Sequence, residues 1–235
     1  SSTQSHYLFG YGSLINPFSR SRTVQSDTSD SIPVLVSGYQ RSWNYNCRSS
    51  YTAVGVKRTS LAEPPINGVL IPIADPSTDF PRLDEREKCY VRKTIDLSQI
   101  RVMDATDSIV PFDRFIQTDK VVIWVYEIPT ADSLHAGCSQ AAPTDCHRPS
   151  LDIPIPQSYV DCILSGCLSI SLGFAKYFIE STGGWDGQAW LNDRDAHPAL
   201  MKYRPHVEGG EVHADPQVLD SLLEQHLPTH IPQRV

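Results

Sequence analysis

The chain lacks any apolar run long enough to cross a bilayer. Its longest runs are strand-sized, such as Val121 to Tyr126, against the roughly 18 residues a spanning helix needs, so no membrane partner is expected. Positive charge is also short. Twenty Lys and Arg face 27 Asp and Glu, and the formal net charge of −7 repels polyanions, which argues against nucleic acid as a ligand. Six cysteines in 235 residues fall short of a secreted disulfide scaffold, so reduced thiols are the expectation. The opening Ser1-Ser2-Thr3-Gln4-Ser5 has neither a basic n-region nor an apolar h-region, and a cytoplasmic home is expected. No Cys-x-x-Cys or His-Glu-x-x-His spacing occurs among Cys138, Cys146, His147, His206 and His213, and Pro228 breaks the face that His226 and His230 would share, so no metal is expected. There is no internal repeat and no low-complexity tract.

What is present reads as an ordinary globular chain. Hydrophobic residues make up 40% and charged residues 20%, and a domain of this length buries roughly 70% of its unfolded surface. A single domain over 1–235 is expected in three parts: a strand-rich core at 6–128, a Pro-rich loop insertion at 129–156 and a helical extension at 157–235. Strand signals recur at Tyr7 to Phe9, Val34 to Val36, Arg41 to Asn44, Ala53 to Lys57, Gly68 to Ile73, Tyr90 to Ile95 and Lys120 to Glu127, separated by turn residues, which implies a mostly antiparallel or mixed sheet. Asn16-Pro17 offers a helix cap followed by a first-turn proline. Pro76 and Pro81 punctuate an acidic stretch that leaves a short helix at Leu83 to Glu87. Tyr159, Ile163, Cys167, Ile170, Phe174 and Phe178 recur at steps of three and four, predicting one helix over 157–180 stopped by Thr182-Gly183-Gly184. A last helix is expected at Val218 to Leu227.

Two constellations carry chemistry. Gly10-Tyr11-Gly12-Ser13-Leu14-Ile15 has Ile15 where a dinucleotide fingerprint needs its third glycine, so a nucleotide cofactor is disfavoured. Main-chain N–H groups of a Gly-containing turn can instead converge on a carboxylate; standing alone, the same residues read equally as a plain strand ending. The second is Glu87. It shares a helical face with Leu83 while Glu85 points elsewhere, so one acid can look inward, where burial would raise its pKa toward a general acid/base role; the competing reading is a solvated acid paired with Arg86 or Lys88. Cys89 and Ser13 remain open as nucleophiles, although no Gly-x-Ser-x-Gly elbow is present.

Taken in order, Tyr7-Leu8-Phe9-Gly10-Tyr11-Gly12-Ser13-Leu14, then Gly38-Tyr39-Gln40-Arg41-Ser42-Trp43, Gly68-Val69-Leu70 and Leu83-Asp84-Glu85-Arg86-Glu87 before Tyr90, the chain resembles the γ-glutamylcyclotransferase superfamily, most closely its ChaC-type branch. The resemblance covers 6–97. It implies an α+β fold, a small mixed β-barrel flanked by helices, whose cavity takes a γ-glutamyl group and releases 5-oxoproline without a cofactor. Glu87 would match the general acid/base, and Tyr11, Gly12, Ser13 and Leu14 the substrate-holding turn. Arg41 and Tyr90 are further candidates for the cavity wall, and glutathione is the substrate expected of a ChaC-type protein. Two rival readings are a binding module on the same fold, without catalysis, and an amide hydrolase using Cys89.

Overall fold

The computed structural model describes residues 4–46, 50–103, 108–112, 120–130, 148–196 and 214–235. The strands are β1 (Ser5–Gly10), β2 (Ile32–Val36), β3 (Tyr39–Tyr45), β4 (Ala53–Arg58), β5 (Ile66–Ile73), β6 (Val91–Ile95), β7 (Ile100–Met103), β8 (Ile109–Pro111), β9 (Val121–Glu127), β10 (Ile155–Pro156), β11 (Thr182–Gly183) and β12 (Trp190–Leu191). The helices are α1 (Pro17–Ser21), α2 (Pro76–Arg86), α3 (Gln157–Leu168), α4 (Leu172–Glu180) and α5 (Pro216–His226).

The class is α+β, built on a large mixed sheet of seven strands in the order β6-β9-β1-β5-β2-β7-β8. Only β1 and β9 run parallel within it, with Leu8 opposite Trp124; β1 and β5 are antiparallel, with Leu8 opposite Ile71. A second sheet places β3 between β4 and the parallel β11, and β10 pairs with β12. The expected small mixed β-barrel is not shown: among the described residues the large sheet runs from β6 to β8 without closing.

Strand alternation explains how this open sheet is covered on both sides. Along β5, Val69, Ile71 and Ile73 face one apolar cluster and Ile66 and Leu70 the other. The first cluster includes the buried faces of α3, α4 and α5, such as Ile163, Phe174 and Leu223. The second is made of strand residues, among them Phe9, Val36, Val56, Ile100 and Val125, so the sheet curls over its own side chains and over β3 and β4. Gly68 is required here, because a Cβ would come within 2.4 Å of the Phe9 ring and 2.5 Å of the Gly10 carbonyl.

Three expectations about helices change. The predicted 157–180 helix is two, because the Ser171 hydroxyl accepts from Phe174 N (2.9 Å) and caps a new helix after the break. The short helix expected at Leu83 begins instead at Pro76, where the Asp75 carboxylate accepts from Ser77 N and Thr78 N, and Pro81 is tolerated inside it. The 157–235 stretch is no mere extension, since β11 joins β3 and α4 packs in the core. Of the 129–156 loop, 131–147 lies outside the described residues; its end is held by Thr52, whose N–H donates to Pro154 O (2.8 Å). Among the described residues no helix is long and apolar enough to cross a membrane.

Candidate active site

At the end of α2 the buried Leu83 faces the core, and its carbonyl accepts from Glu87 N (2.8 Å) as the chain leaves the helix with Glu87 at φ −101° and ψ 26°. That last turn aims Arg86 and Glu87 inward rather than at solvent: their side chains are only 21% and 18% exposed. Arg86 Nε lies 3.2 Å from Glu87 Oε1. Burial raises the pKa of Glu87 above the ordinary carboxylate value, and the Arg86 charge opposes that rise.

Glu87 looks into a cavity of about 500 Å³ whose wall also includes Ser13, Tyr45, Tyr51, Tyr90 and Tyr159. Glu87, Ser13, Tyr90 and Tyr159 also border a narrow hollow of about 40 Å³, closed by Tyr11, Gly12 and Leu14. The structure therefore gathers Glu87, Tyr90 and the whole Tyr11 to Leu14 turn around one space. Of the cations on the wall of the broad cavity, Arg86 pairs with Glu87 and Lys88 with Glu85 (3.5 Å), and the additional charge of Arg22 favours an anionic guest.

The turn has a specific build. After β1 the chain makes a single 3-10 turn, Ser13–Ile15, with Ile15 N donating to Gly12 O (2.9 Å) and Asn16 N to Ser13 O (3.1 Å). Neither Gly10 nor Gly12 has a positive φ, so glycine serves space here rather than a left-handed turn. As its sequence predicts, Asn16 caps α1, accepting from Phe18 N and Ser19 N, and its Nδ2 donates to Cys162 O (2.8 Å) on α3. Among the described residues, none accepts from the main-chain N–H groups of Gly12, Ser13 or Leu14, and these are the leading N–H groups of a helical turn.

Two sequence expectations fail in this region. Arg41 does not line the Glu87 cavity. It is fully buried behind the turn, where its guanidinium donates to Tyr11 O (3.2 Å), Asn67 O (2.6 Å) and Asn67 Oδ1 (2.8 Å) and stacks 3.8 Å from the Phe178 ring centroid. Strand alternation put it there, on the inward face of β3 with Tyr39 and Trp43. Cys89 lines the broad cavity but is disulfide-bonded, which removes it as a nucleophile and overturns the expectation of reduced thiols; Cys162 and Cys167 are free and buried. A structural disulfide is rare in the cytosol, so cysteine usage no longer argues for a cytoplasmic home. Ser13 is also a poor nucleophile here, because its Oγ faces the Arg86 cation at 3.0 Å rather than a base.

Tyr11 and Tyr90 serve as neutral walls. Their hydroxyls donate to Tyr126 O (2.7 Å) and Val54 O (3.0 Å), and burial holds both phenols well above their ordinary pKa. The sequence reading missed Arg86, which it took for a surface partner, and Tyr159, which it counted as core. Tyr159 is buried and also borders both hollows, and it is the one hydroxyl in the apolar stripe that marked α3. Tyr45 ends the inward alternation of β3, and its hydroxyl donates to Cys89 O.

No protein-family model matches the sequence, and no curated protein matches it. Among solved structures, similarity is found to a gamma-glutamyl cyclotransferase at 10% identity, with a TM-score of 0.46 over 94% of this chain and 99% of that one. A gamma-glutamyl cyclotransferase specific to glutathione from yeast is 13% identical, with a TM-score of 0.39 over 59% of this chain and 75% of that one. A solution structure from Arabidopsis thaliana is 22% identical, with a TM-score of 0.35 over 55% of this chain; the match spans 64% of the Arabidopsis protein.

Proposed function

We propose that this chain is a γ-glutamyl cyclotransferase of one domain, with Glu87 as its general acid/base. One observation carries the reading: a half-hidden carboxyl stands in the wall of a cavity that narrows onto the Tyr11 to Leu14 turn. Two of the motifs that resemble the superfamily, the Tyr11 to Leu14 turn and the Arg86-Glu87 end of α2, border that cavity together with Tyr90, which supports the reading further.

In this reaction the substrate's own α-amine attacks its γ-carbonyl carbon. The new C–N bond closes the five-membered ring of 5-oxoproline, and the old amide C–N bond breaks. The chain supplies no nucleophile. It holds the γ-glutamyl group folded, and such orientation contributes on the order of 7 kcal/mol or more in good intramolecular cases. Glu87 takes the proton that the ammonium must lose and returns it to the departing amine; a carboxyl raised by burial is better matched to both transfers than an exposed one. The N–H groups of Gly12, Ser13 and Leu14 receive the substrate carboxylate or the developing oxyanion. Tyr11 and Tyr90 shape the narrow end, and the cation of Arg22 favours an acidic leaving group such as that of glutathione.

The test is incubation with glutathione and a panel of γ-glutamyl amino acids and amines, with 5-oxoproline measured by mass spectrometry. At least one member should give product, and Glu87→Gln should lower turnover by about a hundredfold or more. Absence of product from the whole panel, or full turnover in Glu87→Gln, overturns the reading; a module that only binds would show the first.

A further inference from the structure

We infer that Arg86 is the positioning residue of this site: one rigid guanidinium fixes the Glu87 carboxylate relative to the Ser13 turn. The inference rests on the cyclotransferase reading and adds to it a second residue with a defined task.

The geometry uses all three nitrogens of the side chain. Nε faces Glu87 Oε1 at 3.2 Å. Nη1 donates to Ser19 O (2.8 Å) and Thr23 Oγ1 (3.0 Å), and Nη2 donates to Ser19 Oγ (2.9 Å) and Ser13 Oγ (3.0 Å). A guanidinium is planar and its donors keep fixed angles, so partners on its different edges are held in one frame. Through that frame the end of α2, which carries Glu87, is tied to α1 and to the turn that would hold the substrate. A flexible ammonium would not tie them this way.

The charge is directed as well as the shape. The Ser13, Ser19 and Thr23 partners are neutral, and among the described residues Glu87 is the one carboxylate paired with Arg86. Other titratable groups share the space: the phenols of Tyr11, Tyr45, Tyr51, Tyr90 and Tyr159, and the rim cations Arg22 and Lys88. Lys88 is turned to Glu85 (3.5 Å), and the burial that raises Tyr11, Tyr51 and Tyr90 keeps those phenols neutral. Burial favours the protonated form of Glu87, and Arg86 favours the carboxylate. The pairing therefore shifts Glu87 back toward the base form that the first proton transfer needs.

Arg86→Gln and Arg86→Lys separate this role from a structural one. In Arg86→Gln, kcat and kcat/KM for 5-oxoproline release should fall together by about tenfold or more with little change in KM, and the acid limb of the pH profile should move to higher pH. Arg86→Lys keeps the charge and loses the fork, so its acid limb should stay near that of the wild type while kcat remains reduced. An Arg86→Gln profile that superimposes on the wild type per folded molecule, with only a lower Tm, overturns the role of Arg86. If Arg86→Gln does not fold, wild-type kcat in Arg86→Lys overturns it instead. A wild type that releases no 5-oxoproline from any panel member is a different failure, that of the cyclotransferase reading itself.

Discussion

Replacing Arg41 by methionine removes a buried cation that, among the described residues, pairs with no carboxylate, and the cost follows from its acceptors. The guanidinium gives hydrogen bonds to Thr182 Oγ1, Ser181 Oγ, Phe178 O, Tyr11 O and both oxygens of Asn67. Thr182 and Ser181 stay engaged without it, donating to Phe178 O (2.5 Å) and Tyr177 O (2.6 Å). The Tyr11 carbonyl and the two Asn67 oxygens lose a charged donor, at about 1.5–3 kcal/mol each. Relief of desolvation works in the other direction, because burial already pulls the Arg41 pKa down to about 9. The net loss expected is about 3 kcal/mol, which for a domain of this size lowers Tm by about 6–12 °C. Urea and thermal unfolding of wild type and Arg41→Met at one pH measure it. A fall in Tm below about 2 °C would refute the reasoning, because the network would then contribute no more than an exposed contact.

Stability should respond to Glu87 in the opposite sense. A carboxyl whose folded pKa lies above its unfolded one contributes stability that is complete below about pH 4 and lost as pH rises through the folded value. Glu87→Gln should therefore melt higher than wild type at pH 7.5 and match it near pH 4; an advantage that is absent at pH 7.5, or that grows on acidification, contradicts the assigned cause. Alkylation under non-reducing conditions should leave turnover intact, because of the cysteines among the described residues Cys89, the one on the cavity wall, is held in a disulfide and Cys162 and Cys167 are buried. Reduction should lower unfolding free energy by about 2–4 kcal/mol, measured by denaturant titration with and without dithiothreitol, and inactivation by alkylation alone would restore the cysteine mechanism.

The parts of this molecule that were legible in the sequence are those set by local rules. Asn16-Pro17 announces a capped helix, and the Asn16 side chain makes that cap. The stripe from Tyr159 to Phe178 lies against the core, because three-and-four periodicity reports burial. Periodicity does not report continuity, however, and the apolar phase survives the break that Ser171 caps. Pro81 misled for a related reason: an interior proline costs about 3 kcal/mol, yet the helix that Asp75 starts runs through it and buries Asp79, Phe80 and Leu83. The pairing of β1 with β9, more than a hundred residues apart, and the disulfide at Cys89 are tertiary facts, and residue spacing encodes neither. Arg41 is the instructive case, because alternation along β3 places it inward with Tyr39 and Trp43, and that signal outweighs the habit of giving arginine a polar cavity.

The three arginines around the Tyr11 to Leu14 turn explain why its N–H edge is the edge left for a ligand. Arg41 takes the Tyr11 carbonyl from behind (3.2 Å). Arg20, a buried residue of α1, donates to the Ile15 carbonyl (2.8 Å) and reaches that of Leu14 (3.5 Å), and Arg86 donates to the Ser13 hydroxyl (3.0 Å). With oxygens of the turn bound by cations, the turn carries a positive bias that its own backbone could not supply, and its residues border the narrow hollow. Of the three, among the described residues only Arg86 is also paired with a carboxylate, and that carboxylate is Glu87. The same charge that helps set the turn thus helps set the group proposed to move the proton. A substrate that brings a carboxylate to the turn and an ammonium to Glu87 would complete both halves of this arrangement, whereas one lacking either group would meet only one of them.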